Sequence, residues 1–196
     1  MRVIGITGGV GSGKSCVLIY MQVQYGAVVC QADHIAWKLQ EPGQECYQKI
    51  VEYFGQEILG ENGIIDRKRL GNIVFQDTDK MQVLNQIMHP AVKEKIKEEM
   101  RLEKEKGTRF FAIEAALLLE DHYDEICDEV WYIFANEKVK RIRLKESRSY
   151  TDEKIDDIMR QQLSDVMFRD KCDVIIDNSG DFVVTCEQID GRMKEK

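Results

Sequence analysis

Proline is nearly absent: only Pro42 and Pro90 occur in 196 residues. No Gly/Ser-rich stretch takes its place, so no linker separates independent domains, and the length suits one globular domain with insertions. No apolar run approaches the ~20 residues of a membrane span. The longest cluster, Ala115 to Leu119, is strand- or loop-sized. None of the six cysteines (Cys16, Cys30, Cys46, Cys127, Cys172, Cys186) forms a CxxC pair, and three histidines supply no zinc-ligand spacing. Met1 to Ile6 run straight into a strand pattern rather than a signal peptide, so reduced thiols and a cytoplasmic location are expected. Bases are in the minority, 28 against 35 acids for a net charge of −7. That balance argues against a general nucleic-acid binder, which needs a basic face.

What is present is an alternation. Val3 to Ile6, Ala27 to Cys30, Phe110 to Ile113, Val130 to Phe134 and Val174 to Ile176 are short, continuous apolar runs, rich in β-branched and aromatic residues. Such runs suit strands buried on both faces of a parallel sheet. Helical patterns fill the intervals, at 14–25, 32–40, 44–54, 67–76, 79–106, 137–148, 152–162 and 181–193. The expectation is an α/β fold with a five-stranded, mostly parallel sheet. Pro90 lies inside the 79–106 pattern and predicts a break there, with His89 as a candidate cap. Residues 31–109 hold far more helix than one crossover needs, which predicts a helical insertion. The charged stretch 137–162 is a second excursion, and such insertions commonly carry specificity or a lid.

Gly8-Gly9-Val10-Gly11-Ser12-Gly13-Lys14-Ser15 matches G-x-x-x-x-G-K-[ST] between a strand and a helix. Glycines let the backbone approach phosphate without a clashing Cβ, and the helix N-terminus supplies N–H groups to anionic oxygens. Gly9, Val10, Gly11, Ser12, Gly13, Lys14 and Ser15 are therefore candidate nucleotide ligands. Lys14 would serve the β- and γ-phosphates and the Ser15 hydroxyl a magnesium ion, with ATP as the nucleotide.

Phosphoryl transfer also needs a carboxylate near the acceptor hydroxyl and cations for the developing charge. Asp33 follows the second strand and Glu114 the third, placing both at carboxyl strand ends, where α/β ligands bind. Asp33 is the stronger candidate for the base, against a plain helix-cap role. Glu114 is a second metal candidate, against a solvated loop acid. Arg141, Arg143 and Arg148 are candidates for neutralising the γ-phosphate, against the bland reading of a solvated helix face.

The ordered set resembles bacterial dephospho-coenzyme A kinases over nearly the whole chain. It comprises Ile4-Gly5-Ile6-Thr7 with the phosphate loop, Ala32-Asp33, Glu41-Pro42-Gly43, Ile65-Asp66-Arg67, His89-Pro90, Leu117-Leu118-Leu119-Glu120, Arg148, Gln162 and Asp173 to Gly180. The resemblance implies a P-loop kinase three-layer fold, with a core near 1–40, 108–136 and 172–196, an acceptor-side helical insertion near 41–107 and a lid near 137–171. It implies phosphorylation of the ribose 3′-hydroxyl of dephospho-CoA by magnesium-ATP, Asp33 as base, and Asn178 in the adenine loop. The implied partners are small molecules, without nucleic acid or membrane, on a monomer or weak homo-oligomer. Departures are Gln31 for the usual first Asp of Asp-Ala-Asp, Ala116 and Leu119 for Pro and Phe, Glu114 for a common Asp, and one extra residue between Arg143 and Arg148. Two alternatives stay open: another small-molecule or nucleoside monophosphate kinase, and a nucleotide-dependent switch. Against the switch, Asp177-Asn178-Ser179-Gly180 matches D-x-x-G only at the last strand, and Asn-Lys-x-Asp is missing.

Overall fold

The apolar runs become β1 (Arg2–Thr7), β2 (Val28–Gln31), β3 (Phe110–Glu114), β4 (Glu129–Phe134) and β5 (Val174–Asp177) in the computed structural model, which describes residues 1–194. They join in one five-stranded sheet in the order β2-β3-β1-β4-β5. β1 pairs in parallel with both β3 and β4, and β4 with β5. The helices are α1 (Lys14–Tyr25), α2 (Ala32–Leu39), α3 (Glu45–Phe54), α4 (Arg67–Val74), α5 (Thr78–Glu105), α6 (Glu137–Arg148), α7 (Asp152–Gln161), α8 (Asp165–Lys171) and α9 (Phe182–Lys194). The 165–171 helix is absent from the sequence expectation. Seven residues are too few for a clear period, and Ser164, whose hydroxyl accepts from Met167 N, starts it.

The chain divides into two compact units, residues 1–30 with 103–196, and residues 31–102. In the first, Ile4, Ile6, Ala112, Trp131, Ile133 and Ile176 of the sheet pack with Val17, Leu18 and Met21 of α1 and Ile189 and Met193 of α9. Burying side chains of this size stabilises the fold by about 1.5–3 kcal/mol each. The opposite side of the sheet is covered as well: Phe168 of α8 stacks on Tyr132 of β4, with ring centroids 4.7 Å apart. Coverage of both faces explains why β1, β3 and β4 read as continuous apolar runs. With parallel strands in this register, where Ile6 aligns with Glu114 and Phe134 with Asp177, the carboxyl ends of β1, β3, β4 and β5 share one edge.

The second unit is helical and takes in α2, which the sequence reading grouped with the sheet. Its buried positions include Ile35, Ile50, Phe54, Ile58, Leu70, Val74, Val92 and Ile96. Here the expected break at Pro90 does not occur: α5 runs through it from Thr78 to Glu105, and His89 lies within the helix rather than at an end. Proline removes one backbone donor and crowds the preceding turn. Burial offsets that cost: Met88, Val92 and Ile96 bury the face on both sides of the proline.

Candidate active site

The phosphate loop joins β1 to α1 and is held in shape by positive φ at Gly8, Gly11 and Gly13. Steric demand is greatest at its two ends. A Cβ on Gly8 would lie 2.5 Å from the Ile133 carbonyl, and one on Gly13 would overlap the Asn178 side chain. The loop is thus pressed against β4 and against the residue that follows β5. α1 opens directly from Gly13 with no side-chain cap, leaving its first N–H groups to an anion. Lys14 Nζ donates to Gly8 O at 2.8 Å, so the ammonium lies back across the loop.

Around the loop lies a cavity of about 720 Å³ whose lining includes Lys14, Ser15, Glu114, Arg143, Arg148 and Asn178. Its charged lining holds three cations against the two carboxylates of Glu114 and Glu146, in a chain whose net charge is −7. The loop is braced from behind. Asn178 Nδ2 donates to Ser12 O at 2.8 Å, and Arg143 Nη1 donates to the same carbonyl at 3.2 Å. Arg143 Nη2 reaches Asn178 O at 2.9 Å, and the Thr185 hydroxyl donates to Asn178 Oδ1 at 3.1 Å.

The three arginines separate. Arg143 and Arg148 line the cavity, Arg148 with its guanidinium 5.9 Å from the Tyr150 ring. Arg141 is taken up elsewhere, by Glu137, Asp152 and Asp156. Asp156 foremost and then Glu137, through their hydrogen bonds, raise the Arg141 pKa, and the group ties α7 to α6. Asp33 lies in the helical unit, exposed in the first turn of α2. It is not the cap: Gln31 holds that position. Asp33 therefore stands two residues past the carboxyl end of β2 with its carboxylate in no cap bond. Ser15 and Glu114 share the cavity with Lys14.

Three residues near the loop lie outside the predicted site set. Phe182, the first residue of α9, lines the cavity. Lys140 Nζ lies 3.8 Å from where a Gly9 Cβ would stand, and Gln162 Oε1 accepts from Val10 N at 3.1 Å. Lys140 sits in a Lys/Arg/Glu-rich helix where no sequence signal marks it out. Gln162 carries a signal only through the family pattern.

The model of one family, described as dephospho-CoA kinase, matches residues 2–183. The chain belongs to the dephospho-CoA kinase family. It is 36% identical over 190 residues to a dephospho-CoA kinase of Carboxydothermus hydrogenoformans, covering 96% of this chain and 91% of that one. With a dephospho-CoA kinase of Bacillus licheniformis the identity is 38% over 188 residues, covering 95% and 92%. The solved structure of the dephospho-CoA kinase from Campylobacter jejuni matches with a TM-score of 0.73 at 25% identity, covering 100% of this chain and 97% of that one. Family membership accounts for the P-loop kinase fold, the loop and the basic cavity together. Among the described residues no helix is long and apolar enough to cross a membrane.

Proposed function

We propose that this chain transfers the γ-phosphoryl group of ATP to the 3′-hydroxyl of the ribose of dephospho-CoA, giving CoA and ADP, in the cytoplasm. One observation carries the reading: an intact phosphate loop opens on a basic cavity in a chain of the dephospho-CoA kinase family. The loop amides other than Val10 N–H, which donates to Gln162, hold the phosphates with Lys14, and Asn178 and Phe182 lie where α9 meets the cavity, on the base side. In transfer, the bond between the acceptor oxygen and γ-phosphorus forms while the bridge to the β-phosphate breaks. Asp33 accepts the hydroxyl proton, a role supported by the Ala32-Asp33 motif and by the absence of a capping bond. Arg143 and Arg148 neutralise charge on the departing phosphate. We assign residues 137–171 as a lid whose closure excludes water, which would otherwise compete with the acceptor. Arg141 is assigned to holding the lid helices together.

Magnesium fits the donor set. Ser15 and Glu114 offer hard oxygen donors beside the loop, and no group of three or more His, Cys, Asp or Glu among the described residues could hold a metal alone. Such a set suits an ion held mainly by nucleotide phosphates. When bound, magnesium supplies charge neutralisation at the β- and γ-phosphates. The deciding experiment is ADP release with magnesium-ATP and dephospho-CoA, adenosine, AMP or no acceptor, with the product weighed for one added phosphate. Turnover confined to dephospho-CoA is expected; preference for another acceptor overturns the substrate assignment.

A further inference from the structure

Gln162 touches the phosphate loop on the side away from Asn178, and its placement does more than fill space. It is the C-cap residue of α7, between two anchored helices. α7 is tied to α6 through Arg141 and Lys145 with Asp152, and α8 is tied to β4 by the Tyr132 hydroxyl donating to Asp165 at 2.8 Å. From that junction the side chain reaches Val10 N. The Lys14 ammonium, which serves β- and γ-phosphates in such loops, lies on Gly8 O. On the proposed ATP reading, the Gly8–Val10 shoulder, where that ammonium lies, faces the β- and γ-phosphates, and Gln162 and Lys140 flank it.

The same Gln162 oxygen also lies against Gly9. The Gly9 φ lies outside the left-handed region, so the backbone would accept an L side chain. What occupies the space is Gln162: a Gly9 Cβ would stand 3.0 Å from Oε1. A buried or confined N–H left without its acceptor recruits water. At this shoulder that water would sit beside the phosphorus atom to be transferred.

We infer that Gln162 is a positioning residue that closes the γ-end of the phosphate loop against water and so favours transfer to the acceptor over hydrolysis. Its Oε1 occupies the Val10 N–H, and its bulk occupies the place beside Gly9. Without it, water attacks the γ-phosphorus as the bridge to the β-phosphate breaks, giving ADP and inorganic phosphate. This rests on the proposed reading of the loop as the ATP site.

The test compares the parent chain with Gln162→Ala, Gly9→Ala and the double variant. Measured are transfer kcat, KM for dephospho-CoA, acceptor-free phosphate release, melting temperature and calorimetric ATP affinity. Gln162→Ala is expected to lower transfer kcat about fivefold, the worth of one neutral hydrogen bond. Acceptor-free phosphate release rises and KM for dephospho-CoA holds, while the melting temperature falls by no more than the roughly 2–4 °C that one lost hydrogen bond accounts for. Gly9→Ala crowds Gln162 Oε1 by a few tenths of an ångström and gives the same pattern in weaker form. The double variant is no worse than Gln162→Ala, because both substitutions break one contact. Unchanged phosphate release, a loss of kcat that tracks melting temperature, or multiplied effects in the double variant each overturn the inference. Failure of the parent chain to bind ATP overturns the ATP reading and this one with it.

Discussion

Asn178→Ala gives the sharpest test of how the loop is braced. The residue is 2% exposed, and its amide links the loop to α9 by donating to Ser12 O and accepting from the Thr185 hydroxyl. Truncation removes both bonds but strands neither partner. Ser12 O keeps Arg143 Nη1, and the Thr185 hydroxyl keeps Asp177 O at 3.2 Å. The full penalty of an unpaired buried group is thereby avoided, leaving about 1 kcal/mol for each lost bond. The small void adds up to about 1 kcal/mol. The total of about 2–3 kcal/mol corresponds to a fall in melting temperature of roughly 4–12 °C for a chain this size. ATP affinity should fall with it, since Ser12 lies between loop glycines whose geometry the amide maintains. Thermal melts followed by calorimetric ATP titration read both effects. Asn178→Asp keeps the shape but sets an acceptor against the Ser12 carbonyl, so it should be no more stable than Asn178→Ala at neutral pH. A fall below about 1 °C for Asn178→Ala, or an Asp variant as stable as the parent, would show that the bracing argument is wrong.

Asp33→Ala should leave ATP affinity intact and lower kcat by about 10²-fold or more, the usual worth of a general base; near-normal turnover removes Asp33 from that role. Arg143→Ala should appear chiefly in KM for ATP and in kcat, and Arg141→Ala chiefly in melting temperature. A greater loss of kcat/KM from Arg141→Ala would reverse the assignment. Burial alone pushes the Asp165 carboxyl up, but hydrogen bonds from Arg169 and Tyr132 hold it below the ordinary aspartate value. Its stabilisation is therefore complete above about pH 4 and is lost as pH falls through the lowered value. Melting curves of the parent and Asp165→Asn should differ at pH 7 and converge in strong acid; a gap that persists there would mean that charge is not the cause.

Much of the fold was legible in the sequence because its signals are local. Five apolar runs became five strands, because β1, β3 and β4 are buried on both faces and β5 keeps an apolar run although Ile175 is exposed. The phosphate loop was equally plain: glycine backbone freedom and the Lys-Ser pair are needed at fixed spacing whatever surrounds them. The helical pattern at 152–162 likewise became α7, whose cap Thr151 accepts from Lys154 N.

Other features belong to packing. A local rule breaks the helix at Pro90, yet burial of Met88, Val92 and Ile96 carries α5 through it. Arg141 and Arg143 share residue type and charged surroundings, but two positions along a helix amount to about 200° of turn, so they face opposite ways. Only the arrangement of α6 against the loop and α7 decides which arginine meets Ser12 and which meets Asp152 and Asp156. The Val10–Gln162 contact joins positions 152 apart in the chain. By itself the sequence determined the elements and the phosphate loop, because those are written in neighbouring residues. The tertiary structure decided which side chains brace that loop, because the choice depends on helix faces turned together by a common core.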